Sequence, residues 1–170
     1  MTRIPRWIGA LGLLAGVACR DSTGPSASAR LIAVSPAPGA SAVSTATTVT
    51  LTFSPPMAGG MEQFLDLHLG GIGGSVVPMA CAWSPDRTTL TCSPGSPLQP
   101  GTTYTIHLGG GMRDQSGHHM DLDPWIGMGG QWVTSDMMGG MHNGQPVGMM
   151  GSGWRHGPDH YGMTFTFTTS

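Results

Sequence analysis

From Arg30 onward, short runs of alternating apolar and polar residues are separated by turn residues. In "TTVTLTF", Val49, Leu51 and Phe53 alternate with threonines, which is typical of a strand with one buried and one exposed face. No stretch has a helical period long enough to predict a helix. The pattern therefore predicts an all-β sandwich of about seven strands. The predicted strands lie in RLIAVS, TTVTLTF, EQFLDLHLG, SVVPMACAW, RTTLTC, TTYTIHL and MTFTFTT.

The N-terminal residues predict export from the cytoplasm. Residues 1–18 contain two arginines, an apolar stretch and then small residues, the pattern of a signal peptide. Ala18 directly before Cys19 resembles the lipobox of bacterial lipoproteins, which implies a lipid on Cys19, although Gly16 stands where that motif prefers leucine. An ordinary signal peptide that is cleaved nearby is the alternative. Residues 19–29 are small and polar, and they predict a flexible, lipid-anchored linker before a domain over residues 30–170.

The charge of the chain limits the partners. After Cys19 there are five arginines, no lysine and nine acidic residues, a net charge of −4. No basic patch can form from so few cations, which argues against binding to nucleic acid or an anionic membrane surface. The remaining expected partners are the membrane through the lipid anchor, and an envelope protein or surface polymer.

Two cysteines are placed symmetrically about a turn at Asp86 and Arg87. If the flanking strands form a hairpin, Cys81 lies opposite Cys92, and Trp83 lies opposite Leu90. Such a pair is expected to form a disulfide in an oxidising compartment. Two thiolates that help to hold a metal are the alternative.

Several motifs together resemble the bacterial Ig-like domain first described in surface-layer proteins of the SbsA type. They are a Pro-x-x-Gly turn, a strand ending in Phe-Ser-x-Pro-Met, a Leu-x-Pro-Gly-Thr-x-Tyr corner, an Asp-x-x-Gly turn and a closing Phe-x-Thr strand. The resemblance implies an Ig-like Greek-key sandwich, a tyrosine corner and a role as a surface spacer or binding module without catalytic residues. The matching positions are Pro36, Gly39, Phe53 to Met57, Leu98 to Tyr104, Asp114, Gly117 and Phe165 to Thr168.

The chain departs from this family in a long insert before the last strand, residues 118–162, which is rich in methionine, histidine and glycine. Thioether sulfur favours Cu(I), and imidazole suits copper, zinc and nickel. The insert therefore predicts a copper or other soft-metal site as an alternative to a purely structural role. The candidate ligands are His118, His119, Met120, Met137, Met138, Met141, His142, Met149, Met150, His156 and His160.

Two other interpretations of the insert remain open. It is either a structural or disordered segment, or a methionine-rich surface that contacts a protein or a polymer. In the structural interpretation, methionines and tryptophans form a small satellite core over one sheet. The residues of that core are Met120, Met128, Met163, Trp125, Trp132 and Trp154.

The sequence favours a protein that is not an enzyme. It has no Gly-x-Ser-x-Gly, His-Glu-x-x-His or paired-carboxylate pattern. A hydrolytic metal centre of Asp114, Asp121 and Asp123 near His118 and His119 is an alternative. His68 and His107 lie on predicted strands and are interpreted as sheet-face residues, with a metal role as the alternative. The expected function is that of a non-enzymatic lipoprotein of the cell envelope, located in the periplasm or on the cell surface.

Overall fold

The computed structural model describes residues 28–134, Met137 and residues 153–170, and these form a β-sandwich. One sheet has the strand order β5-β6-β3-β1-β8, and the other has the order β2-β10-β7-β4, with β9 pairing with β10. The strands are β1 (Ala29–Ser35), β2 (Ala40–Val43), β3 (Val49–Ser54), β4 (Leu65–Leu69), β5 (Met79–Trp83), β6 (Thr89–Pro94), β7 (Thr103–Leu108), β8 (Met120–Asp121), β9 (Gln131–Thr134) and β10 (His160–Thr169).

The predicted fold class is confirmed. The seven predicted strands correspond to β1, β3, β4, β5, β6, β7 and β10, and the short strands β2, β8 and β9 complete the sheets. Two 3-10 turns, Met61–Phe64 and Asp123–Trp125, are the helical elements of the described part, and neither is long enough to cross a membrane.

Alternation builds the core between the two sheets. Val49, Leu51 and Phe53 of β3 are almost fully buried, as their spacing predicts. Phe165 and Phe167 of β10 meet them from the opposite sheet. The inner faces exclude water because each strand contributes every second side chain to one apolar layer, and burial of that layer is the main stabilising term of the fold.

The hairpin of β5 and β6 carries the predicted disulfide. Cys81 lies opposite Cys92 and Trp83 lies opposite Leu90, in the predicted register, and the two cysteines are bonded. The disulfide is confirmed. Arg87 at the hairpin turn covers the Trp83 ring and donates to the carbonyl oxygens of Met57 and Ala58, so the hairpin is tied to the segment after β3.

The corner before β7 also agrees with the resemblance. The Tyr104 hydroxyl accepts a hydrogen bond from the backbone N–H of Gln99 at 2.8 Å, as expected of a tyrosine corner. The Tyr104 ring stacks on Phe167 with centroids 5.7 Å apart. The loop that crosses between the sheets is therefore attached to the core.

The first part of the insert belongs to the sandwich. Met120 pairs in parallel with Ala29, and the indole N–H of Trp125 donates to the Leu31 carbonyl at 3.0 Å. Both side chains lie in the main core. The expectation of an irregular insert from residue 118 was therefore wrong for this part, where β8 and β9 extend the two sheets.

The satellite core forms with a different membership. Trp154, Val133 and Tyr161 make a second buried cluster, against which Phe64 and Ile72 pack. Met163 belongs to the main core, Trp132 is partly buried against it, and Met128 is 52% exposed. The prediction of a tryptophan-based cover over one sheet is correct for Trp154.

The disulfide gives a stability prediction. Replacing Cys81 and Cys92 together by alanine should lower the free energy of unfolding by about 3 kcal/mol, the loop-closure estimate for the 11-residue separation. Denaturant unfolding of the parent and the double variant measures this difference. The Cys19→Ala variant is the matched control and should unfold like the parent. Equal stability of parent and double variant would show that the bond does not constrain the unfolded chain.

Candidate functional site

The described ends of the insert form an exposed aromatic surface. The imidazole rings of His156 and His160 both stack on the indole of Trp132, with centroids at 4.6 and 4.8 Å and interplanar angles of 19° and 3°. The backbone N–H of His156 donates to the His160 carbonyl at 2.8 Å. All three side chains are partly exposed. We call Trp132, His156 and His160 the histidine–tryptophan surface.

This surface is held by the strands beneath it. Trp132 is on β9, opposite Met163 of β10, and His160 begins β10. The backbone N–H groups of Gly110 and Gly111 donate to the carbonyls of Trp154 and Gly153, respectively. A Cβ on Gly110 would lie 2.3 Å from the His156 Cβ, so glycine at 110 lets the end of the insert lie on the segment after β7.

His119 and Met61 extend the same region. The Met61 thioether accepts a hydrogen bond from the Arg113 backbone N–H at 3.2 Å, and Arg113 forms a β-bridge with His119. Partial burial lowers the pKa of His119, and the charges of Arg113 and His156 lower it further. The segment after β7 contacts His156 at Gly110 and pairs with His119 at Arg113, so both predicted ligands adjoin this segment. The sequence did not single out Met61 or the stacking of Trp132.

His118 has a structural partner. Its Nδ1 lies 3.0 Å from Oδ2 of Asp114, whose other oxygen accepts from the backbone N–H groups of Ser116 and His118. Burial raises the pKa of Asp114, but these hydrogen bonds outweigh it and hold that pKa below its ordinary value. The pair therefore closes the Asp-x-x-Gly turn, and His118 is directed at Asp114 rather than at the histidine–tryptophan surface.

The remaining predicted ligands divide into three groups. Met120 is 1% exposed in the main core, so its predicted role as a ligand is corrected to packing. Met137 is 47% exposed. The other predicted residues lie outside the described part of the chain: Cys19 for lipidation, and Met138, Met141, His142, Met149 and Met150 for metal. Within the described ranges, no three His, Cys, Asp or Glu side chains form a group that could hold a metal.

The two histidines that the sequence places on a sheet face lie on the outer face of the second sheet. His68 on β4 and His107 on β7 are completely buried, and their ring centroids are 5.9 Å apart. Trp154 covers His107 at a centroid distance of 4.6 Å. Their positions on a sheet face agree with the sequence, but nothing in the alternation of β4 or β7 indicates that this face is covered.

A model of the bacterial Ig-like domain family matches residues 21–125. No curated protein matches the sequence.

Solved structures of several kinds are similar to the chain at low identity. The S-layer protein SbsC is 20% identical over 56% of this chain and 12% of that one, with a TM-score of 0.42. PcoC, a methionine-rich copper resistance protein from Escherichia coli, is 15% identical over 85% of this chain and 100% of that one, with a TM-score of 0.46. L,D-transpeptidase 1 from Mycobacterium tuberculosis is 19% identical over 54% and 37%, with a TM-score of 0.36. The chain thus spans about an eighth of the first S-layer structure.

The buried pair predicts a pH dependence of stability. Burial lowers the pKa of His107 from 6.5 to about 4; the hydrogen bond to the Tyr161 carbonyl opposes this shift and the charge of His68 adds to it. Between pH 4 and pH 6.5 the unfolded chain binds a proton on this residue that the folded protein does not bind. The contribution of neutral His107 to the free energy of unfolding is therefore fully present above pH 6.5 and decreases as the pH falls toward 4. The loss should reach about 3 kcal/mol in the metal-free protein.

Denaturant unfolding at pH 7 and pH 4, for the parent and for His107→Gln, measures this contribution. The raised pKa of Asp66 and the lowered pKa of Asp114 also change how the free energy of unfolding depends on pH. The contribution of His107 is therefore the difference between the parent and the variant in the stability lost from pH 7 to pH 4. The variant should lose less stability on acidification. Identical slopes would contradict the prediction.

Proposed function

Because the chain belongs to the bacterial Ig-like domain family, we propose that it is a non-enzymatic structural and binding module of the cell envelope. The match covers residues 21–125, which include the corner of Tyr104 and the Asp114 turn. The disulfide between Cys81 and Cys92 supports a location in an oxidising compartment outside the cytoplasm. The N-terminal pattern supports a lipid anchor at Cys19.

The observation that carries the binding role is the histidine–tryptophan surface. A partly exposed indole with two imidazoles stacked on it, held by β9 and β10, presents an aromatic contact on a strand support. Aromatic side chains on such supports contribute much of the energy at binding surfaces. The low charge of the domain favours a neutral partner, either an envelope protein or a surface polymer.

A second candidate function is copper binding through the insert. Its support is that the segment after β7 contacts His156 at Gly110, pairs with His119 at Arg113, and donates from the Arg113 backbone N–H to the Met61 thioether. Thioether and imidazole ligands together suit copper in its two oxidation states. In this candidate the methionines of the insert bind Cu(I), and the histidines complete the site.

The anchor is tested by replacement of Cys19. The parent should sediment with membranes, and Cys19→Ser should appear in the soluble extracytoplasmic fraction because it has no lipid. Fractionation of cells and immunoblotting measure the distribution. The Cys81→Ala, Cys92→Ala protein is the control, since it keeps Cys19 and should remain in the membrane fraction. Equal membrane association of parent and Cys19→Ser would reject lipidation at Cys19.

The binding surface is tested by sedimentation with isolated envelopes of the source bacterium that lack the protein. Trp132→Ala should weaken co-sedimentation by about 10-fold, which corresponds to about 1.4 kcal/mol. Ile32→Ala is the matched control, since Ile32 is 54% exposed on β1 of the other sheet. Equal effects of the two substitutions would reject a specific role of the histidine–tryptophan surface.

The copper candidate is tested by titration of the purified full chain with Cu(I) against a competing chelator. Replacing Met137, Met138 and Met141 by leucine should weaken binding by more than about 100-fold. Loss of the groups that support metal ligands already lowers metal affinity about 10–100-fold, and loss of the ligands themselves should lower it more. If the insert is structural, the leucine variant binds as the parent does and is equally or more stable. Unchanged affinity would therefore reject the candidate.

A further inference from the structure

The outer face of the second sheet carries a buried pair of imidazoles. Leu67 of β4 and Ile106 of β7 point into the main core, so His68 and His107, one position away on each strand, point to the other side. The register places Asp66 opposite His107 and His68 opposite Thr105, which makes the two histidines diagonal neighbours. Such neighbours are within reach of each other's side chains.

Two different segments cover this pair. The loop after β4 turns back over it, and the Val77 backbone N–H donates to the Leu67 carbonyl at 2.7 Å. Ile72 of this loop packs on the cluster that contains Trp154. From the other side, Trp154 lies on the His107 ring. The result is an enclosed site on a sheet face whose alternation alone predicts exposure to solvent.

Hydrogen bonds to carbonyl groups define the proton on each ring. His68 Nδ1 is 3.1 Å from the Gly74 carbonyl oxygen, and His107 Nε2 is 2.7 Å from the Tyr161 carbonyl oxygen. A carbonyl oxygen accepts and does not donate, so these two nitrogens carry hydrogen. In the neutral rings, the lone pairs are then on His68 Nε2 and His107 Nδ1.

Both of these nitrogens are buried and have no hydrogen-bond partner in the described part of the chain. Buried polar atoms with no partner are rare in folded proteins. Two on neighbouring rings, each with its N–H donated to a backbone carbonyl, match the arrangement of metal-binding histidines, in which the second nitrogen donates to a carbonyl or carboxylate and fixes the tautomer.

The separation of the rings fits one shared ion. Two metal–nitrogen bonds close to the about 2.0 Å of zinc–imidazole bonds, arranged in a line through the ion, place the two ring centroids about 6 Å apart. The observed centroid separation is 5.9 Å, with 49° between the ring planes. We propose that His68 Nε2 and His107 Nδ1 form a buried two-coordinate site for a soft monovalent cation, namely Cu(I).

The charge and ligand number select this class of ion. The described residues provide no group of three His, Cys, Asp or Glu ligands, whereas zinc sites in proteins have at least three protein ligands and calcium takes six or more oxygens. Cu(I) has a filled d shell and is stable with two nitrogen ligands. The neighbouring Asp66 provides one negative charge, which compensates a monovalent cation and leaves a divalent one uncompensated in a buried site.

This site does not use the methionines of the insert, so it is independent of the copper candidate above. Its test is addition of one equivalent of Cu(I) to the anaerobic full chain, followed by 15N NMR of the imidazoles and X-ray absorption. We expect the resonances of His68 and His107 to shift, and the absorption to show two nitrogen ligands at a distance shorter than the about 2.0 Å of zinc–imidazole bonds, because two-coordinate ions form shorter bonds. Zn(II) at the same concentration is the control ion and should leave both resonances unchanged.

Variants separate the two sites. His107→Gln should weaken binding of Cu(I) at the pair by more than about 100-fold, whereas the variant with leucine at 137, 138 and 141 should keep it. Sulfur ligation with unchanged signals from His68 and His107 would overturn the proposal and support the insert instead. Absence of Cu(I) binding to the parent would overturn both. If His107→Gln does not fold, the spectra of the parent decide the question.

Discussion

The pairing of β10 with three other strands is the constraint on which the second sheet depends. β10 lies between β2 and β7, and its first half also pairs with β9. Its inward side chains Phe165 and Phe167 fill the core, and its Tyr161 carbonyl accepts from His107. A single strand therefore connects the main core, the end of the insert and the buried histidine pair, so displacement of β10 affects all three.

Two environments of different polarity result from this arrangement. The histidine–tryptophan surface is partly solvated and lies where the insert meets β9 and β10. The His68 and His107 pair is fully enclosed and lies between the sheet and Trp154. Imidazole rings are therefore partly solvated in one place and completely buried in the other. The two environments differ because Trp154 and the loop after β4 cover the second sheet at the histidine pair.

The sequence predicts the long strands well because alternation reports directly on which face is buried. Val49, Leu51 and Phe53 show this, and the symmetric cysteines set the register of their hairpin without further information. Short strands are harder: β8 has two residues, and Met120 pairs with Ala29 across more than 90 residues of sequence. Its burial depends on that distant contact, and methionine in a glycine-rich segment gives no local indication of it.

The site is less predictable than the fold for the same reason. His156 and His160 are close in sequence, but the indole on which they stack is on another strand. The burial of His107 depends on Trp154, which returns to the sheet from the far end of the insert. When a distant segment covers a sheet face, the alternation of apolar and polar residues in the covered strand does not change. The sequence of that strand therefore does not indicate that the face is covered.

The late position of β10 in the chain has a consequence for biogenesis. A growing polypeptide that ends before His160 has β7 and β4 but lacks the strand that joins them to β2 and β9. The inner layer then lacks Phe165 and Phe167, and the apolar residues of the first sheet that pack on them stay in contact with water. The domain therefore reaches its complete fold only after its last strand has been synthesised.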